Sequence, residues 1–166
     1  LGDILYGPIA PKETYDYLRA LDALTISGNQ DRQIYESTQA EIDVNPTMKF
    51  ILNDLGKSPL EWMKLLPFDL QVTPDIYACH GTPTDDLVYL LEDISTGKAE
   101  VRTDHEIIKL LNGIKSPVVL CGHTHTPRCV ELSTGQLIIN PGSVGLQAYT
   151  DEDPNVHSMQ NYSSKA

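Results

Sequence analysis

Val118-Val119-Leu120-Cys121-Gly122-His123-Thr124-His125 decides how this chain is read: an apolar run leads straight into glycine and two histidines one residue apart. Four consecutive apolar residues ending at glycine read as a buried strand and its exit loop. In extended chain the side chains at i and i+2 point the same way, so both imidazoles are expected to converge at the strand tip. Strand tips are where ligand groups gather in open α/β sheets, and imidazole is the commonest metal-binding side chain. His-x-His alone is unspecific, since two exposed histidines in a turn give the same spacing.

Working outward, the motif repeats in kind. Leu24-Thr25-Ile26-Ser27 reads as a short buried strand closed by Gly28-Asn29-Gln30-Asp31, and Ile76-Tyr77-Ala78-Cys79 as another ending at His80-Gly81-Thr82. Leu70–Thr73, Cys129–Leu132 and Leu137–Ile139 read as further strands, with Ser133-Thr134-Gly135 as a turn and Asn140-Pro141-Gly142-Ser143 closing the last. Helices are expected over Pro11–Leu24, with Tyr17, Leu18, Leu21 and Leu24 facing the core, and over Pro46–Leu55, with Gly56 past its end. Ser58-Pro59-Leu60-Glu61 has the form of a capping box, which starts a helix to about Leu66. A short helix is expected over Asp85–Glu92, and one capped by Asp104 with Ile107, Ile108, Leu110 and Leu111 inward. Leu18, Leu21, Leu65, Leu66, Leu110 and Leu111 are read as core. Asp151–Ala166 is polar and lacks periodicity. Strands alternating with helices give an α/β fold, layered α/β/α, and 166 residues suit one domain spanning 1–166.

Composition narrows the partners. A formal net charge of -11 opposes binding to a long nucleic-acid backbone, which needs clustered Lys and Arg. No apolar run reaches membrane-spanning length. The three cysteines Cys79, Cys121 and Cys129 lack a C-x-x-C spacing, which fits a reduced, cytoplasmic protein. A structural zinc site built on Cys79, Cys121 and the histidines is a weaker reading, because both cysteines lie inward of the strand tips.

Each polar residue also has an ordinary explanation. Asp3 closes a Gly-Asp turn equally well, Asn29 suits a left-handed turn, Asp31 suits a turn or supporting role, and His80 could be a satisfied core histidine. Arg128 reads as a surface strand residue, and His105 and His157 have no partner visible in the sequence. Taken in order, however, Gly2-Asp3, Gly28-Asn29-Gln30-Asp31, His80-Gly81-Thr82 and Gly122-His123-Thr124-His125 resemble the calcineurin-like metallophosphoesterase superfamily. Asn140-Pro141-Gly142-Ser143 resembles its small bacterial and archaeal phosphodiesterase branch.

That resemblance implies a β-sandwich flanked by helices and hydrolysis of phosphodiesters or phosphomonoesters by a hydroxide activated on two divalent cations. Manganese is the first choice of metal, with iron, zinc, nickel or cobalt as options. Asp3 would bridge the cations; Asn29, His80 and His123 would complete one site, and His125 would serve the other. Asn29, Gln30 and His123 are the implied catalytic positions. The family's opening Asp-x-His motif is absent ahead of Gly2-Asp3, and Asn161–Ala166 resembles the lead-in to its closing strands. The expectation is therefore a fold incomplete at both ends, poorly stable alone. Gln30 departs from the histidine common at its position, and an amide cannot act as a general acid. A catalytically silent scaffold of the same fold is the alternative.

Overall fold

The computed structural model describes residues 1–7, 9–152 and 155–160. The resemblance noted for Asn161–Ala166 lies outside them. The chain falls into two compact units, Leu1–Asp69 and from Leu70 onward. It is a mixed α/β fold, as the alternating patterns predict.

The first unit is helical: α1 Pro11–Leu21, α2 Asn29–Glu36, α3 Gln39–Val44, α4 Pro46–Leu55 and α5 Lys57–Lys64. Leu5, Ile34, Met48, Ile51, Leu55 and Met63 form its core. Asn45 caps α4 by accepting from the Met48 N–H at 3.0 Å, and Gly56, at φ 69°, ends α4 and begins α5. That start displaces the expected capping box: Ser58 is already helical. Pro59 falls within the first turn, where its missing N–H costs nothing. The helix α1 stops at Leu21, with Tyr17, Leu21 and Leu24 exposed; Tyr15 and Pro11 turn inward instead. Leu65 is exposed too. Leu24–Ser27 is not a strand: Ile26 is buried, but Ser27 N donates to Pro67 O at 2.9 Å without a ladder. The sequence reading missed α2 and α3.

The second unit is built on a five-stranded sheet. Its members are β1 Asp69–Thr73, which starts at the boundary, β2 Ile76–Cys79, β5 Val118–Leu120, β6 Arg128–Glu131 and β7 Leu137–Asn140. The order is β1-β2-β5-β7-β6. Strands β2, β5 and β7 run parallel, with Ala78 opposite Leu120 and Leu120 opposite Ile139, so their C-terminal tips align. β6 returns antiparallel to β7. Between β2 and β5 come the short strands β3 Glu92–Asp93 and β4 Glu100–Val101, then helix α6 Asp104–Leu110. Tyr77, Cys79, Leu91, Ile107, Leu111, Val119 and Ile138 are buried together against the sheet.

Three local expectations are corrected here. Asp85–Glu92 is not helical, because side chains take the backbone donors a helix would need: Thr82 Oγ1 accepts from Asp85 N at 3.0 Å, and Asp85 Oδ1 from Leu87 N at 2.8 Å. Thr103, not Asp104, caps α6, and Asp104 instead accepts from Ser133 N and Oγ. The polar tail contains a hairpin, β8 Ala148–Asp151 with β9 His157–Gln160, which pairs Tyr149 with Met159 and Asp151 with His157.

Candidate metal centre

In the first unit the candidate carboxylates are tied to backbone. Asp3 lies in the left-handed region at φ 54°, where aspartate is one of the better-tolerated residues. Its carboxylate accepts from Gln30 N at 2.8 Å, taking one of the N–H groups that a helix start leaves unpaired. Asp31, fully buried, accepts from Gly28 N at 3.0 Å and Ile4 N at 2.9 Å. Asp3 and Asp31 thereby lace the opening segment to the first turn of α2. Asn29 is the first residue of that helix and is buried; it is not in a left-handed turn.

In the second unit the three candidate histidines follow the aligned tips of β2 and β5. Gly122 N donates to the His80 carbonyl at 2.8 Å, which joins the two exits. His80 is buried, and its ring centroid lies 5.0 Å from that of His123. Gly81 must be glycine: a Cβ there would sit 2.7 Å from both Asp85 O and Val88 O. The loop folded over it brings the Leu87 carbonyl to His123 Nε2 at 3.1 Å. A carbonyl only accepts, so the proton of neutral His123 sits on Nε2 and its lone pair on Nδ1. Metal-binding histidines are oriented in this manner, by donating the other N–H to a carbonyl.

The extended-chain argument for His123 and His125 does not survive. Both residues have positive φ, 66° and 58°, and around His123 the chain is closed by Thr124 N turning back to Gly122 O at 2.8 Å. The strain is held by Asn140 at the tip of β7, whose amide donates to Gly122 O at 2.7 Å and Thr124 Oγ1 at 2.9 Å. Asn140 Oδ1 in turn accepts from Gly142 N at 2.9 Å. Gly142, at φ 81°, packs so closely that a Cβ would meet Pro127 Cδ at 2.9 Å. This explains the Asn-Pro-Gly-Ser run in structural terms: it braces the histidine loop.

Rings hold the imidazoles. Tyr89 stands edge-on to His123 with centroids 4.7 Å apart, and Tyr149 edge-on to His125 at 4.9 Å. Burial pushes both phenols above the ordinary tyrosine range, so they stay protonated donors. The sequence reading missed these tyrosines and showed no partner for His157, which is buried with Nε2 3.0 Å from the Tyr89 hydroxyl. Arg128 lies in a strand, β6, as read, and its Nε donates to the fully buried Glu92 at 2.8 Å, a partner the sequence did not show. Burial raises the Glu92 carboxyl against the pull of Arg128. His105 is exposed. Cys79 and Cys121 are buried and in no disulfide, and burial raises the Cys121 thiol far above its usual range, which disfavours a thiolate zinc site.

The histidine donor set suits a divalent cation, and comparison with known proteins agrees. The family description "Calcineurin-like phosphoesterase superfamily domain" matches residues 1–159. The chain belongs to the calcineurin-like phosphoesterase superfamily. Among solved structures, it resembles a metallophosphoesterase from Sphaerobacter thermophilus, with TM-score 0.65 and 20% identity over 97% of this chain and 76% of that one. It resembles equally a hypothetical protein from Pyrococcus horikoshii OT3, with TM-score 0.67 and 20% identity over 99% and 74%. At that identity both show the fold alone. No curated protein matches the chain. No helix among the described residues of this phosphoesterase-family chain is long and apolar enough to cross a membrane.

Proposed function

We propose that the protein hydrolyses phosphoester bonds in small phosphorylated substrates, using two divalent cations, with manganese the first candidate. The observation that carries this reading is the pairing of His80 with His123, the latter's Nε2 proton committed to Leu87 O, in a chain of the phosphoesterase superfamily. By family resemblance, Asp3 and Asn29 would serve as ligands along with His80, His123 and His125. Bound cations would lower the pKa of a water and neutralise charge on the phosphoryl oxygens. The chain's own part is to keep the imidazole lone pairs aimed and the carboxylate oriented, through the bonds Asp3 accepts from Gln30 N and His123 donates to Leu87 O.

Gln30 cannot protonate a leaving group, so substrates with good leaving groups, such as aryl or nucleoside phosphodiesters, should be preferred. A Gln30→His variant should flatten the dependence of rate on leaving-group pKa; equal slopes would remove this assignment. The direct test is hydrolysis of bis-p-nitrophenyl phosphate by the full-length protein with manganese, nickel, cobalt or zinc. Wild-type turnover should fall at least about a hundredfold in His123→Ala. No turnover with any of the four metals would favour the scaffold.

A further inference from the structure

We propose that Tyr89, Tyr149 and His157 form a positioning clamp that sets the orientation of the His123 and His125 imidazoles. The proposal rests on the reading of these histidines as metal ligands. It starts from the backbone: both histidines sit in left-handed conformations, so the loop is tightly fixed while the direction of each ring is left to its neighbours. Those neighbours are the Leu87 carbonyl at His123 and one tyrosine apiece in edge-to-face contact, with interplanar angles of 69° for Tyr89 and His123 and 65° for Tyr149 and His125.

The two tyrosines are not independent. Their hydroxyls lie 2.6 Å apart, and the Tyr89 hydroxyl also reaches His157 Nε2 at 3.0 Å. His157 Nδ1 lies 2.7 Å from the Asn155 carbonyl, which can only accept. In neutral His157 the proton is thus on Nδ1, Nε2 accepts from Tyr89, and the Tyr89 oxygen accepts from Tyr149. A directed chain of hydrogen bonds runs from the hairpin backbone to a ring against each candidate ligand. The His123 carbonyl lies 3.4 Å from the Tyr149 hydroxyl and competes with the Tyr89 oxygen for its single proton.

Packing does not require these polar atoms. Tyr89 and His157 are buried, and Tyr89 lies in a cluster with Ile94 and Met159 that phenylalanine would fill as well, without the cost of desolvating hydroxyls. What the hydroxyls add is direction. Groups behind metal-binding histidines typically change metal affinity about 10–100-fold when removed. None of the three is assigned contact with substrate; they act through His123 and His125.

The test uses the full-length protein with Tyr149→Phe, Tyr89→Phe, His157→Leu and His157→Gln. Three quantities are read: long-range proton–nitrogen spectra of the imidazoles in metal-free protein, manganese affinity by calorimetry, and Tm. The clamp predicts that Tyr149→Phe moves the His123 and His125 ring signals and weakens manganese binding about tenfold, with Tm within a few degrees of wild type. His157→Gln, whose amide oxygen can accept from Tyr89, should recover most of what His157→Leu loses. Unmoved ring signals and affinity in Tyr149→Phe, or losses that only follow Tm, would overturn the clamp. A wild-type protein that binds no manganese would sink the metal reading instead, and the ring signals would still decide the clamp.

Discussion

The opening segment with the start of α2, and the loop after β5, solve one problem in two ways. Each must hold polar side chains on left-handed backbone: Asp3 in the first, His123 and His125 in the second. Around Asp3 the solution is electrostatic and local, with carboxylates accepting from the backbone donors of Gln30, Gly28 and Ile4. Around the histidines, Asn140 braces the loop and aromatic edges brace the rings. The difference follows from chemistry. A carboxylate is satisfied by N–H groups alone, whereas an imidazole has a plane and two unlike nitrogens, so its angle must be fixed as well as its place.

The contrast can be broken most severely at Asp31. Asp31→Ala strands two backbone donors and should cost about 4 kcal/mol, at about 2 kcal/mol for each charge-assisted bond. Urea denaturation measures it, and a loss under about 1 kcal/mol would show that water replaces the carboxylate. Next comes Arg128→Met, which leaves the fully buried Glu92 without its cation and should cost about 3 kcal/mol near neutral pH. Its pH dependence has a definite sign. The folded Glu92 carboxyl is already raised, and losing Arg128 raises it further. The folded state then holds the proton more tightly than the unfolded one, so the deficit shrinks as pH falls toward the unfolded value of about 4.3. A deficit that is flat between about pH 7.5 and 5 would contradict this.

Asn140→Ala should cost about 2 kcal/mol and disorder the loop, visible as broadened His123 and His125 amide signals; sharp, unshifted signals would reassign the brace. The smallest effect is at Ser133. Its N–H, then its hydroxyl, lowers the Asp104 carboxyl, so that contribution is present above the unfolded value of about 3.9 and lost as pH falls through the folded one. Ser133→Ala should make the acid limb of the stability curve shallower below about pH 4, with no change near neutrality.

Much of this was legible in the sequence, for stated reasons. Pro46–Leu55 carried proline at its start, glycine past its end and a helical period, and it forms over those residues. The parallel strands β2, β5 and β7 announced themselves as short apolar runs, since no residue of a central strand is fully exposed on either face. What stayed hidden depended on partners far away in sequence. His157 and Met159 are buried alternately with Ser158 and Gln160, yet four residues with one histidine make no readable period. Tyr89 is 60 residues from Tyr149, and Arg128 is 36 from Glu92. The helix expected at Asp85–Glu92 was lost to side chains that bond the backbone first, a competition propensity does not display. The His-x-His pair was read through the wrong geometry: extended spacing was assumed where the backbone is left-handed.

Among the described residues, six other than glycine adopt positive φ, and Asp3, His123 and His125 are three of them. Such positions each carry an energetic cost, of order 1 kcal/mol, that glycine would escape. Laboratory evolution of this protein under heat selection alone would therefore act on these three as readily as on Ala10, Asp22 and Asn112. Any thermostabilisation campaign should hold these three fixed and seek its gains among the exposed residues of α1.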